Sequence, residues 1–556
     1  MNMRRQRIFY YDGKSGRKPL AHQQKAIEAF RASEQKSLLI RFFTGLGKSY
    51  TALCCVATTD VKKILIIAPT GLHEQWADEC KFVPFACEVH VVGGREGHSY
   101  DWQRFNSTEC VHIVSVNVDT FSHDFCASII EWAQDAAIIL DEATSIKNYN
   151  GSKRGHSGTI RAANIVSLNS RPCKINLALT ATPITEAVGG LWAILEFLNR
   201  NWRNYYSFIN TYSYVVTLRY PTMLRPVKTA VTRSLFEKIR SSDYLSLQNT
   251  ISISYPDYLE LTAPNFEWRG NIRRLPDLLA HLDSFVVSAS YSDVGIDMPP
   301  ISRITRTVEM SEEQQKHYQT LLQSDCLALD NVFASCVNTM VRNIRLQQIS
   351  SGFILGYDEQ EMRNLIQQST ASGKMPSANE CIKCLRKVGR VKDVPKLEAL
   401  MHDIIGFGDK CIVFVMFTAE SELICERLEK EGIEYAVNTG ARHEVDKFKN
   451  NPDCRVLVAN LSATAFGYNL IEASAIFYYS VGYSALLRIQ SEGRIYRIGQ
   501  ERHVLYVDYD SSPIEHTILE RVSEKRNAFR EVIGQSDIDS VVQNDDIATI
   551  VGDVNE

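Results

Sequence analysis

Short apolar runs recur along this chain, each followed by a polar turn and then by a stretch whose apolar positions fall at helical spacing, a pattern that predicts strand–turn–helix units. SLLIRFF at Ser37–Phe43 reads as a buried strand, and YTALCCVAT at Tyr50–Thr58 as the helix that leaves the turn after it. ILIIAPTGLHEQWADEC at Ile64–Cys80 is a strand, a Pro-Thr-Gly break and a helix, while Val111–Phe121, Ala136–Ala143 and Ile175–Ile184 supply further strands ending in polar loops. An amphipathic helix over Lys18–Phe30 precedes them, opened by a proline. Repeated strand-to-helix alternation implies a parallel sheet.

From Asn201 to about Gly295 the alternation lapses into aromatic-rich sequence, including NWRNYYSFINTYSY, which reads as a mainly helical insertion. It resumes at Ser302–Met310, continues through helical stretches containing SEEQQKHYQTLL and VRNIRLQQISSGF, and meets a Gln-, Ser- and Asn-rich segment at about 356–392 that reads as a surface loop. Cys411–Ala419, Cys454–Ala463 and Ala475–Val481 are strands of a second sheet, and SPIEHTILERVSEKRNAFREVIG is a charged amphipathic helix ahead of an acidic tail read as mobile. The expected architecture is α/β: two parallel-sheet lobes in tandem, with a mainly helical insertion and a C-terminal helix. Its boundaries are a basic arm at 1–18, a first lobe at 19–200, the insertion at 201–299, a second lobe at 300–512, and the helix and tail at 513–556.

A chain of 556 residues, 45% of them hydrophobic, exceeds one core and has ample material to bury. No apolar run approaches the roughly 20 residues of a membrane span, and the basic start MNMRRQRIFYY lacks an apolar leader, so an intracellular soluble, cytoplasmic protein without a membrane partner is expected, with nucleus or virion as alternatives. The fourteen cysteines are scattered and read as reduced thiols; Cys381 and Cys384 form a lone CxxC with no second pair to complete a zinc site. The net charge of −4 conceals an uneven distribution, because the tail from Gly534 holds Asp537, Asp539, Asp545, Asp546, Asp553 and Glu556 with no Lys or Arg. Without those six acids the charge moves from −4 to +2. Two basic clusters, Arg4, Arg5, Arg7, Lys14, Arg17 and Lys18, and Lys383, Arg386, Lys387, Arg390 and Lys392, fit either a phosphate-tracking surface or an ordinary solvated face.

Three separated segments carry the chemistry. TGLGKS at Thr44–Ser49 is a glycine turn before a helix, which aims N–H groups and a helix dipole at phosphate oxygens; Lys48 adds a point charge and Ser49 a magnesium-ligating hydroxyl. Phe42 stands where the strict pattern has its first glycine, so the segment alone could be a chance turn. DEAT at Asp141–Thr144 places two carboxylates at the end of a strand, one for the metal and one for water, and QSEGRIYRIGQ at Gln490–Gln500 supplies Arg494 and Arg497 against charge developing on a γ-phosphate. Because the arginines belong to the second lobe, ATP with Mg2+ is expected between lobes, with closure on binding and release on hydrolysis.

With these motifs in place the chain resembles a superfamily 2 helicase-type ATPase, and within that group the SNF2 (Swi2/Snf2) family, from about Lys18 to Arg526, which implies that the two parallel-sheet lobes in tandem are RecA-like. PLAHQ at Pro19–Gln23 is similar to the family's adenine-reading segment, which implies a base contact for Gln23. IIAPTGLHEQW, with Trp76, resembles motif Ia, and LTATP at Leu179–Pro183 resembles motif III, implying a relay role for Thr180 and Thr182. LSATAFGYNLIEAS resembles motif V and RIQSEGRIYRIGQ motif VI. The resemblance implies nucleotide contacts from Thr44, Gly45, Gly47, Lys48, Ser49, Gly467 and Gln490, magnesium on Ser49 and Asp141, and catalysis by Lys48, Asp141, Glu142, Arg494 and Arg497.

Departures from the pattern are Thr144 in place of histidine, Thr464 and Ala465 in place of glycines, and FVVSASYSDVG at Phe285–Gly295 where many members carry Arg and Lys. His22 is read as structural, and Trp76 and the tyrosines of Trp202–Tyr214 as packing rather than base-stacking groups. The resemblance implies a DNA translocase acting on duplex or branched DNA, with RNA left open, alongside replication, recombination or transcription proteins, as in small phage or viral members. A strand-separating helicase and an ATP-gated adaptor are the alternatives. The sequence ends soon after the second lobe, so a nucleosome substrate is not inferred.

Overall fold

The computed structural model describes residues 7–14, 16–92, 110–122, 126–149, 157–181, 188–218, 227–231, 233–264, 272–329, 332–336, 338–372, 387–464, 467–533 and 540–543. The chain divides into two compact units, Met1–Asp297 with Glu524–Ser536 and Met298–Ser523 with Asp537–Glu556. Each is organised on a largely parallel sheet, as the alternating pattern predicts.

The first unit has eight strands in the order Arg7–Tyr11, Cys87–Val92, Val111–Asn117, Lys63–Ala68, Ala137–Asp141, Asn176–Leu179, Ser37–Phe42, Val286–Ala289. All neighbours are parallel except the first pair. The central strands are buried along nearly their whole length because helices cover both faces, which is why they read as continuous apolar runs. On one face Leu39, Leu65, Val114, Ile138 and Ala178 pack with Ile165, Leu191 and Ile194 of the helices Ser157–Ser167 and Val188–Phe197. The helices Ala21–Ala32 and Lys48–Val56 pack on each other beside the strand Ser37–Phe42.

One sequence expectation for this unit changes and another gains detail. Arg7–Tyr11, assigned to a basic arm, is an edge strand, since RIFYY pairs antiparallel with Cys87–Val92. The segment read as a mainly helical insertion also contains a three-stranded antiparallel sheet of Ile251–Ser252, Val215–Leu218 and Val227–Ala230, with a core formed by Tyr214, Phe236, Ile239 and Leu261. Its last strand, Val286–Ala289, belongs to the main sheet, bonded to the strand that feeds the glycine turn. The aromatic stretch packs as expected: Phe208 and Tyr212 are buried, with Trp202 edge-on to both.

The second unit's sheet has seven parallel strands in the order Tyr435–Asn438, Val456–Asn460, Cys411–Val415, Ala475–Tyr478, Val504–Asp510, Ile301–Thr307, Ser540–Gln543. The last lies in the tail that composition reads as mobile. A second, antiparallel sheet joins Cys326–Leu329, Val332–Ser335, Phe353–Asp358 and Lys387–Arg390. The segment expected to be a polar loop at 356–392 therefore begins and ends in strand, with a helix over Glu359–Ser372 whose Glu, Gln and Arg content favours helix despite its polarity. Of the downstream basic cluster, Lys387 pairs with Glu361 at 2.9 Å and Arg390 is bidentate to Glu426, arrangements expected of a solvated face. In the N-terminal cluster Arg17 lies over the Phe82 ring at 4.5 Å. Arg4, Arg5, Lys383, Arg386, Cys381, Cys384 and most of the acidic tail lie outside the described residues.

Candidate functional site

The buried strand Ser37–Phe42 delivers the chain into a turn at Phe43–Gly47. Gly45 and Gly47 have φ of +86° and +76°, a region glycine enters without a Cβ penalty. Gly47 has a second constraint: a Cβ there would lie 2.4 Å from Gln23 Nε2. Gln23 and His22 close over the turn, bonding the Leu46 carbonyl at 3.2 and 3.0 Å, while Gln23 Oε1 accepts the Leu20 N–H at 2.9 Å. The helix Lys48–Val56 starts immediately after, so its first-turn N–H groups lie at the turn. The Lys48 ammonium donates to the carbonyls of Phe42 and Phe43 at 3.0 and 3.3 Å.

Tyr291 braces the turn from the neighbouring strand's end. Its hydroxyl donates to the Thr44 carbonyl at 2.7 Å and its ring stands edge-on to Phe43 at 5.3 Å. In the sequence this segment stands out only for its lack of Arg and Lys; no local pattern marks Tyr291, because its partner is far away along the chain.

The acidic pair sits nearby in the same sheet. Leu179 is in register with Ile40 on one side and Asp141 on the other, so the glycine turn, Thr180 and Asp141 all follow the carboxyl ends of three adjacent strands. Open α/β sheets bind ligands there. Asp141 is buried, and both of its oxygens are oriented: Oδ2 accepts from Trp76 Nε1 at 2.8 Å and Oδ1 from the Glu142 N–H at 2.9 Å. Trp76 is buried as expected, and its indole N–H also positions a carboxylate, a role the sequence reading did not assign. Glu142 has φ +48° and ψ 60°, a left-handed conformation that costs a non-glycine residue about 1–3 kcal/mol and concentrates at functional positions. Thr144 and Thr180 are buried; Thr182 lies outside the described residues.

Positive-φ glycines, a helix N-terminus and a lysine, with a carboxylate at the end of a nearby strand of the same sheet, form a donor set that fits a triphosphate with a divalent cation.

In the second unit, motif VI begins as the helix Ala485–Glu492, N-capped by Ser484. Its inner face is a buried ionic network. Arg488 donates from Nε to Glu492 at 2.7 Å, is bidentate to Asp508, and lies 3.4 Å from the Tyr478 ring centroid. Arg303 is bidentate to Glu492 at 2.8 Å for both bonds and lies over Tyr506. Of this network only the i, i+4 pair Arg488–Glu492 is visible in the sequence. Beyond the helix, Arg494 is buried, donating to the carbonyls of Gln490 at 3.0 Å and Tyr468 at 3.2 Å, whereas Arg497 is half-buried. Gln500 ties the turn by donating to the carbonyls of Ile471, Ala473 and Ile495. Gln490 is buried, and Gly467 has φ +89°. Thr464 is buried and accepts from Asn438 Nδ2 at 2.8 Å; Ala465 lies outside the described residues.

A nucleotide-binding α/β ATPase of helicase type is the class these features define. Residues 22–352 match the SNF2-related domain family and residues 395–499 the helicase conserved C-terminal domain. The chain belongs to the SNF2-related family, as its motifs predict. It is similar to an uncharacterized ATP-dependent helicase of Mycoplasma pneumoniae, 22% identical over 94% of this chain and 42% of that protein. It also resembles the putative ATP-dependent helicase/translocase YwqA of Bacillus subtilis, 22% identical over 79% of this chain and 40% of that one. The chain thus spans less than half the length of these relatives. Among solved structures it is similar to the Sulfolobus solfataricus SWI2/SNF2 ATPase core in complex with dsDNA, at 18% identity and a TM-score of 0.34, covering 93% of each chain. No helix among the described residues is long and apolar enough to cross a membrane.

Proposed function

We propose that this protein is an ATP-driven translocase on duplex or branched DNA that remodels forks, junctions or protein–DNA complexes. The observation that carries the reading is the glycine turn and the Asp141–Glu142 pair at the carboxyl ends of nearby strands in one sheet, in a chain of the SNF2-related family. Thr44, Gly45, Gly47, Lys48 and Ser49 hold the phosphates, and Gln23, with one N–H of its amide spent on Leu46, offers its remaining hydrogen-bonding capacity to the base. Ser49 and Asp141 hold Mg2+, which supplies charge neutralisation at the phosphates. Glu142 orients the attacking water, and Gly467 and Gln490 contribute from the second lobe.

Arg494 and Arg497 act on charge developing at the γ-phosphate. The Arg494 guanidinium also donates to main-chain carbonyls and so shapes the turn. Arg497→Ala is expected to lower turnover with nucleotide affinity retained.

The test is ATP hydrolysis with duplex, forked, single-stranded and RNA cofactors at one ionic strength, together with triplex displacement. Duplex DNA should raise turnover many-fold, Lys48→Ala and Glu142→Gln should abolish it, and a third strand should be displaced without duplex separation. Duplex unwinding would favour a strand-separating helicase. Turnover indifferent to any nucleic acid would refute the motor reading and favour an ATP-gated adaptor.

A further inference from the structure

Away from the nucleotide motifs, two neighbouring strands of the first sheet gather metal-ligating side chains on one face. Glu88 is in register with His112 on the adjacent strand. Side chains alternate between faces with a period of two, so His90 shares the face of Glu88, and Cys110, two residues before His112, falls on that side as well. Tyr10, in register with Glu88 from the other side, completes the row. One ligand atom each from Glu88, Cys110 and His112 lies within 4.8 Å of the others.

The two Glu88 oxygens are in different environments. Oε1 accepts the Tyr10 hydroxyl at 3.0 Å and lies 2.9 Å from His90 Nε2. Oε2 lies 3.6 Å from His112 Nδ1. That separation exceeds a hydrogen bond and is close to the roughly 3.4 Å ligand–ligand edge of a tetrahedron with metal–nitrogen and metal–oxygen bonds of about 2.1 Å. His90 and His112 are both about 2% exposed, whereas Glu88 and Cys110 are half-buried, which leaves an approach from solvent.

We propose that Glu88, Cys110 and His112 bind a zinc-class divalent ion, with His90 and Tyr10 orienting the Glu88 carboxylate as outer partners. Mixed thiolate, imidazole and carboxylate ligands suit zinc, and three protein ligands leave a fourth position for water. The ion staples the strands Cys87–Val92 and Val111–Asn117 to each other near the sheet edge. Neither strand carries a residue assigned to the nucleotide, so the site stands or falls independently of the ATPase reading.

The experiment uses the full chain, stripped with chelator, incubated with ZnCl2 and desalted, with metal content measured and CoCl2 titrated in parallel. About one zinc per chain is expected, and cobalt should show a thiolate-to-metal charge-transfer band. Cys110→Ser should abolish that band and weaken binding about tenfold or more, while Cys173→Ser leaves both unchanged. Tyr10→Phe, at a position 68% exposed and so safe for folding, should weaken binding about tenfold through the carboxylate alone. Zinc content no higher than that of Cys110→Ser, or cobalt binding without the thiolate band, would overturn the proposal.

Discussion

Trp76→Phe removes one hydrogen-bond donor from the carboxylate that the proposed mechanism assigns to magnesium. The Trp76 Nε1 to Asp141 Oδ2 bond is 2.8 Å long, and Trp76 and Asp141 are 1% and 6% exposed, so water cannot readily take the donor's place. A hydrogen bond to a charged group contributes about 1.5–3 kcal/mol. The smaller ring also leaves space behind, so a loss of about 2–4 kcal/mol of unfolding free energy is expected in a urea titration. If about 1.4 kcal/mol of the loss falls on holding Asp141 in its metal-binding orientation, the Mg2+ concentration for half-maximal ATP hydrolysis rises about tenfold. The assay is a magnesium titration of DNA-stimulated ATPase activity at saturating ATP, in wild type, Trp76→Phe, Asp141→Asn and the double variant. Trp76 acts through Asp141 if its substitution shifts the magnesium dependence in wild type and adds little once Asp141 is replaced. A variant destabilised by the expected amount, with unchanged magnesium dependence, would show that the indole only packs and would refute the reasoning.

Gly47→Ala forces a side chain into φ +76° and a Cβ to 2.4 Å from Gln23 Nε2, so about 1–3 kcal/mol of strain and at least a tenfold loss of affinity for a fluorescent ATP analogue are expected; unchanged affinity would contradict the close-approach argument. Arg488→Met leaves Asp508 and Glu492 short of a buried cationic partner and should lower unfolding free energy by about 3–5 kcal/mol in chemical denaturation, whereas a loss under about 1 kcal/mol would mean the network relaxes freely. Burial depresses the His73 pKa to about 4 from its ordinary 6.5. The unfolded chain therefore takes up this proton first as pH falls, and stability is lost between about pH 6.5 and 4, by at most about 3 kcal/mol. His73→Gln should flatten that window in denaturation curves taken at several pH values, and parallel wild-type and variant profiles would rule out His73 as the source.

What was legible in the sequence is local or periodic. The strands Ser37–Phe42, Lys63–Ala68, Ala137–Asp141 and Cys411–Val415 announce themselves because a strand covered on both faces must be apolar throughout, and the glycine turn because only glycine adopts φ near +80° at little cost. These features mark the glycine turn and the acidic pair in the sequence alone. Local polarity misled at Glu359–Ser372, where polar residues form a helix, and at Arg7–Tyr11, where a strand lies inside a stretch noted for its charge.

The tertiary structure alone decided which distant groups meet. Tyr291 reaches Thr44, Trp76 orients Asp141, Arg303 and Arg488 share Glu492, and Glu88 faces His112 across two strands. Such pairings depend on strand order and register, which are set by how whole faces of the sheet are covered rather than by any window of neighbouring residues. The sequence determined the kinds of chemistry available; the packing determined which side chains are buried together, oriented by one another and able to act as a unit.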